Sequence, residues 1–132
     1  MILIQMDANA KLGKTVINQD PNEMSENGRL FRDIIERESL VLLNVSDLCQ
    51  GAITRVRVIK DNTEKSILDY ILVCEKLATF LEQMLIDEDR NFSLTKYATT
   101  KGIKKIVKSD HNILYAKFSM QYRNLAWKKL RK

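Results

Sequence analysis

Ser66-Ile67-Leu68-Asp69-Tyr70-Ile71-Leu72-Val73 is an apolar run with one carboxylate inside it. Its length and its β-branched and aromatic content read as a buried strand. A carboxylate there needs a partner, because burying one unpaired is costly. The chain has a single histidine, His111, in Ser109-Asp110-His111-Asn112, and its imidazole is the obvious partner. Such a pair would fix the ring tautomer and raise its basicity. The plainer readings are a hydrogen-bonded structural aspartate at a strand edge and a satisfied surface or core histidine. A third segment, Ile4-Gln5-Met6-Asp7-Ala8-Asn9-Ala10, places Asp7 and Asn9 two residues apart just past another apolar run. In extended chain both side chains point the same way. The carboxylate can orient or deprotonate a water, and the amide can donate to a developing oxyanion. The same spacing also suits an Asx turn, with both side chains capping backbone. In all three places acidic or amide side chains sit beside strand-like runs. That is the layout of a metal-assisted hydrolase built on the ends of sheet strands.

Outward from the central run, Met1 to Met6 reads as a short buried strand and Asp7 to Glu26 as a long polar loop. Leu30, Phe31, Ile34 and Ile35 recur at helical spacing, so a helix is expected from Asn27-Gly28 to about Glu38. Leu40 to Leu43 is a second buried strand, ending at Asn44. Ile53 to Ile59 alternates, with Lys60 to Thr63 as a turn and Ser66 to Val73 as the returning strand of a hairpin. Glu75 to Gln83 reads as a short helix, Met84 to Asp87 as a strand and Asn91 to Lys101 as a loop. Ile103 to Val107 reads as an edge strand, Asn112 to Met120 as a buried one, and 121–132 as a basic tail anchored by Trp127. The order of elements argues for a mixed α/β sandwich, not a doubly wound parallel sheet.

With 132 residues, 45% of them hydrophobic and 30% charged, the chain has the composition of one soluble domain. Its apolar runs are strand-sized, so no membrane span is expected. Cys49 and Cys74 fit no metal or redox spacing and read as plain buried or half-buried thiols of a reducing compartment, which leaves the location within the cell, nuclear or cytoplasmic, open. The net charge of +5 hides an asymmetry. Residues 1–89 hold 10 basic and 16 acidic side chains, whereas residues 90–132 hold 12 basic and a single acid, Asp110. Such a split suggests a face that meets a polyanion; the bland alternative is a solvated lysine-rich surface. An acid alone in a basic field points to a metal or phosphate site, and Lys104, Lys105 and Lys108 just before it are placed to grip a nucleic-acid backbone.

Taken together, Met6-Asp7-Ala8-Asn9-Ala10, Ile67-Leu68-Asp69-Tyr70-Ile71-Leu72-Val73 and Ser109-Asp110-His111 resemble the three C-terminal motifs of the endonuclease/exonuclease/phosphatase superfamily. That superfamily includes deoxyribonuclease I, the apurinic/apyrimidinic endonucleases and the endonuclease domains of LINE-type retrotransposons. Glu26-Asn27-Gly28-Arg29-Leu30, Leu40-Val41-Leu42-Leu43-Asn44 and Ile53-Thr54-Arg55 are similar to the retroelement branch. The resemblance implies an α/β fold, part of a four-layer αββα sandwich with mainly antiparallel mixed sheets. It implies hydrolysis of DNA phosphodiesters with Mg²⁺ or Mn²⁺. Asp7 would activate or orient the attacking water, and Asn9 would stabilise the phosphorane. Asp69 would orient His111, His111 would contact the scissile phosphate, and Asp110 would serve the metal. The superfamily's N-terminal half, with its Asn and its Glu metal ligand, has no counterpart here. The expected division is therefore a C-terminal part of that domain over 1–120, followed by the basic tail. The resemblance implies a parent protein that would carry the missing half, with a reverse transcriptase domain as a possible downstream partner. Weak or no activity alone is expected. A catalytically inactive remnant that binds nucleic acid through its basic half is the alternative, and a phosphomonoester or phospholipid substrate a third reading.

Overall fold

The computed structural model describes residues 1–92 and 95–119, with 95–100 and 104–108 as backbone only. The tail expected over 121–132 lies outside the described residues. The central strand is β6 (Asp69–Cys74), and it is buried on both faces. It pairs antiparallel with β1 (Leu3–Asp7) on one side and β2 (Leu40–Leu42) on the other. A second sheet has the order β10 (Leu114–Phe118), β7 (Leu81–Ile86), β3 (Cys49–Gln50). Its β10–β7 pair is antiparallel and its β3–β7 pair parallel. Two ribbons complete the set, β4 (Arg55–Ile59) with β5 (Asn62–Ser66), and β8 (Thr95–Thr100) with β9 (Ile103–Lys108).

Alternation along β6 creates two cores. Tyr70 and Leu72 join Ala10, Leu12, Ile17, Phe31, Leu42 and Ile67 on the face covered by the loop after β1 and by helix α1 (Glu26–Arg37). Ile71 and Val73 face the other way, onto Leu77, Leu81, Met84 and Ile86 of the second sheet and of the short helix α2 (Glu75–Ala78). The described residues therefore form a mixed α/β protein with a helix layer and two sheet layers, which is why the run 69–74 is apolar on both sides. The Ser25 hydroxyl accepts the Gly28 N–H at 3.0 Å and caps α1. Gly28 is required by close packing, since a Cβ there would lie 1.8 Å from the Lys11 carbonyl oxygen. Phe31 and Ile35 face the core, whereas Leu30 and Ile34 are exposed, so the helix uses half of its expected apolar stripe.

Several sequence expectations are corrected. The run Met1–Met6 is not buried: β1 is an edge strand exposed along its whole length, with Leu3 at 50%. Among the described residues it pairs only with β6, and an apolar run cannot reveal whether a layer covers it. The hairpin partner of β4 is β5, closed by Lys60-Asp61, and not the run 66–73, which crosses into the central sheet. The helix expected over 75–83 stops at Ala78, and β7 begins at Leu81. The loop expected over 91–101 contains β8. The buried strand expected over 112–120 is shorter and alternates, with Tyr115 and Lys117 exposed.

Candidate active site

The β1–β6 register sets Asp7 directly opposite Asp69 at one end of the central sheet. Two carboxylates facing each other across strands repel. The ring of His111 answers both of them. Its Nδ1 lies 2.8 Å from Asp69 Oδ2, and its Nε2 lies 3.9 Å from Asp7 Oδ2. Asp110 Oδ1 approaches the same Nε2 at 3.7 Å. Because Asp69 accepts a hydrogen bond from Nδ1, the neutral ring carries its proton there and leaves Nε2 as the open nitrogen.

Adjacent residues on a strand would face opposite sides, yet Asp110 and His111 share this site. The chain is not a strand at that point: His111 makes an isolated bridge with Arg55, and its N–H donates to the Ser109 hydroxyl at 3.1 Å. That turn is what brings both side chains round. At Asp7 the two expectations coexist. Its Oδ1 accepts the Asn9 N–H at 3.0 Å in an Asx turn, with Asn9 at φ 46°, while Oδ2 faces His111. Asn9 is exposed and lines an adjoining cleft of about 640 Å³, together with Lys11, Asn27, Arg55 and Lys65.

Asp69 is held by two residues that sequence reading did not assign to the site. Thr54, fully buried, accepts the N–H groups of Leu68 and Asp69 on one hydroxyl at 2.9 and 3.1 Å. Asn44 donates to the Asp69 carbonyl at 3.1 Å and accepts the Ile71 N–H at 3.1 Å, continuing the pairing where β2 stops. A lone Asn ending an apolar run and a Thr in an alternating one were the available signals, and neither is specific. Thr54→Val is expected to orphan one buried and one part-buried N–H group and cost roughly 2–4 kcal/mol, at about 1–3 kcal/mol for the first. Urea denaturation checks this, and a loss below about 0.5 kcal/mol would show that the hydroxyl is dispensable.

Arg55 is the third unanticipated participant. Its Nε donates to Asp110 Oδ2 at 2.8 Å. This hydrogen bond, ahead of any burial effect, holds the Asp110 carboxyl below its ordinary value of 3.8. A depressed folded value means that the pair stabilises the fold above about pH 4 and loses that contribution as pH falls through the depressed value. With Asp110 41% exposed the contribution is below about 1 kcal/mol. Arg55→Met should return the carboxyl toward its ordinary value, as read by carbon NMR titration of Asp110.

One oxygen each from Asp7 and Asp69 and a ring nitrogen of His111 lie within 4.8 Å of one another, a set that could hold a metal ion. The 2.8 Å Asp69–His111 separation is that of a hydrogen bond, so the freer donors are Asp7 Oδ2 and Asp110 Oδ1. Three carboxylates around one imidazole, offset by Arg55, leave the site short of positive charge. Carboxylate oxygens beside an imidazole are donors of the kind that a metal ion takes. Asp7, Asp69 and Asp110 thus lie around His111, with Asn9 on the wall of the neighbouring cleft. Lys104, Lys105 and Lys108 lie on β9, which runs into Ser109, but their side chains are outside the described residues. Cys49 and Cys74 are free thiols, both half-buried. Among the described residues no helix is long and apolar enough to cross a membrane. Compared with known protein families, curated proteins and solved structures, the chain gives no match.

Proposed function

We propose that the chain carries a metal-assisted phosphodiesterase site of the endonuclease/exonuclease/phosphatase type, acting on DNA, and that its layers correspond to part of that superfamily's αββα sandwich. The observation that carries the reading is the imidazole of His111, backed by Asp69 on Nδ1 and open on Nε2 between Asp7 and Asp110. A backed imidazole at a cluster of hard oxygen donors suits phosphoester chemistry. Asp7 Oδ2 orients the attacking water. Nε2 accepts a proton in the neutral ring, or donates to a phosphate oxygen once protonated. The Asn9 amide offers N–H to the oxygens of the phosphorane. Asp7 and Asp110 are the carboxylates for Mg²⁺ or Mn²⁺, which when bound neutralises developing charge on the phosphate. Lys104, Lys105 and Lys108 grip the DNA backbone beside it. The 12 basic residues over 90–132 favour a polymeric anion over a small one, because each phosphate contact uses a cation.

Arg55 commits one oxygen of Asp110, so few oxygens remain for a cation. Hydrolysis by the chain alone is therefore slow in this reading. The same observation favours the second reading, nucleic-acid binding without hydrolysis. Plasmid nicking separates them. Open circles that form with Mg²⁺ and vanish with a chelator support the enzyme. Salt-sensitive DNA binding with no nicking supports the binding module. Absence of both overturns the nucleic-acid assignment.

A further inference from the structure

Arg90 lies in an acidic turn, Asp87-Glu88-Asp89-Arg90, far in sequence from the site. Its three guanidinium nitrogens nevertheless all bind one short segment around His111. Nε donates to Asn112 Oδ1 at 3.0 Å, Nη1 to the Ser109 carbonyl at 3.1 Å and Nη2 to the Asp110 carbonyl at 3.1 Å. Residues 109–112 lie between strands, and one isolated bridge, Arg55 with His111, is the ladder pairing they make among the described residues. On one side the segment is held by the chain entering β4: Val56 N–H donates to the Asp110 carbonyl, and Asn112 binds the Thr54 and Ile53 carbonyls. On the other side it is held by Arg90.

The turn that presents Arg90 is itself secured. Arg90 sits at φ 54°, a region uncommon for residues other than glycine, and such positions persist when the surroundings over-determine them. Its N–H donates to the Asp87 carbonyl, and the buried Asp87 carboxylate accepts the N–H groups of Asn91 and Phe92 at 3.0 and 2.8 Å. A planar fork matches three acceptors at fixed angles, which an ammonium cannot do.

We propose that Arg90 is a positioning residue for His111. Its guanidinium sets the bend at Ser109–Asn112 that turns Asp110 and His111 to the same site and seats Nδ1 on Asp69. The catalytic consequence rests on the proposed phosphodiesterase reading; the geometric consequence does not.

The single histidine makes the test clean, because one imidazole signal reports one residue. In proton–nitrogen NMR the unaltered chain should show an Nδ1-bound proton protected by Asp69. Arg90→Met should lose that protection while amide signals of both cores stay in place. Its kcat for Mg²⁺-dependent nicking should fall roughly 10- to 100-fold, as when a ligand-orienting partner is removed, with KM changed less than about twofold. An unchanged imidazole signal in folded Arg90→Met overturns the proposal. If Arg90→Met does not fold, Arg90→Lys decides: a shifted or weakened Nδ1 proton with intact cores supports positioning. An unchanged signal there, or disruption of both cores, overturns it. If the unaltered chain fails to nick DNA, the imidazole signal still decides the role of Arg90, and only the phosphodiesterase reading falls.

Discussion

His111→Ala is expected to lower the proposed Mg²⁺-dependent nicking, where the unaltered chain shows it, by roughly 10²- to 10⁴-fold, the range that a positioned acid or base contributes. The ring supplies the open Nε2, and no other imidazole exists in the chain to replace it. Its removal also leaves Asp7 and Asp69 opposed without an intervening group. The fold should survive, because the His111 side chain is 31% exposed and belongs to neither core. Asp69→Asn should be nearly as severe for a different reason: an amide can present N–H₂ to Nδ1, favouring the wrong tautomer. Initial rates on supercoiled plasmid, with circular dichroism to verify folding, measure both effects. Equal rates for His111→Ala and the unaltered chain would remove the histidine from the chemistry.

The largest expected loss of stability is at Tyr70. Its side chain is fully buried, and its ring packs against Phe31 with centroids 5.1 Å apart. Its hydroxyl lies 2.7 Å from the Ala10 carbonyl and 2.8 Å from that of Ile67. Burial is the main reason why the phenol is held far above its ordinary value of 10.0, so it stays a donor at every physiological pH. Tyr70→Ala leaves a cavity and removes the single O–H donor that the two carbonyls share, and should cost about 3–5 kcal/mol. A domain of this size has roughly 5–15 kcal/mol in all, so such a loss removes a large share of it. Tyr70→Phe keeps the ring and should cost about 1–2 kcal/mol through the hydrogen bond alone. Urea midpoints read the difference. Equal losses for the two variants would show that packing contributes little at this position.

The run Tyr70-Ile71-Leu72-Val73 was legible as a buried strand because both of its faces are apolar, and such a run has few other places to go. The helix over 26–37 was legible from its spacing, and Asp7, Asp69 and His111 from their positions beside apolar runs. What lay beyond sequence was whatever depends on a distant partner. Met1–Met6 is as apolar as β6, but apolarity does not say whether a second layer is present, and β1 is exposed. Ser66–Val73 follows a turn as a hairpin strand would. It instead leaves β5 at Ser66 and enters the central sheet at Asp69, whose backbone is bound by the side chains of Thr54 and Asn44. Asp110 and His111 share a site through a hydroxyl-supported turn that no strand periodicity predicts. Arg55 and Arg90 read locally as surface cations in a hairpin and an acidic turn. Side-chain type and local period determined which residues could do chemistry. Long-range hydrogen bonds, formed only once the sheet register exists, decided which of them meet.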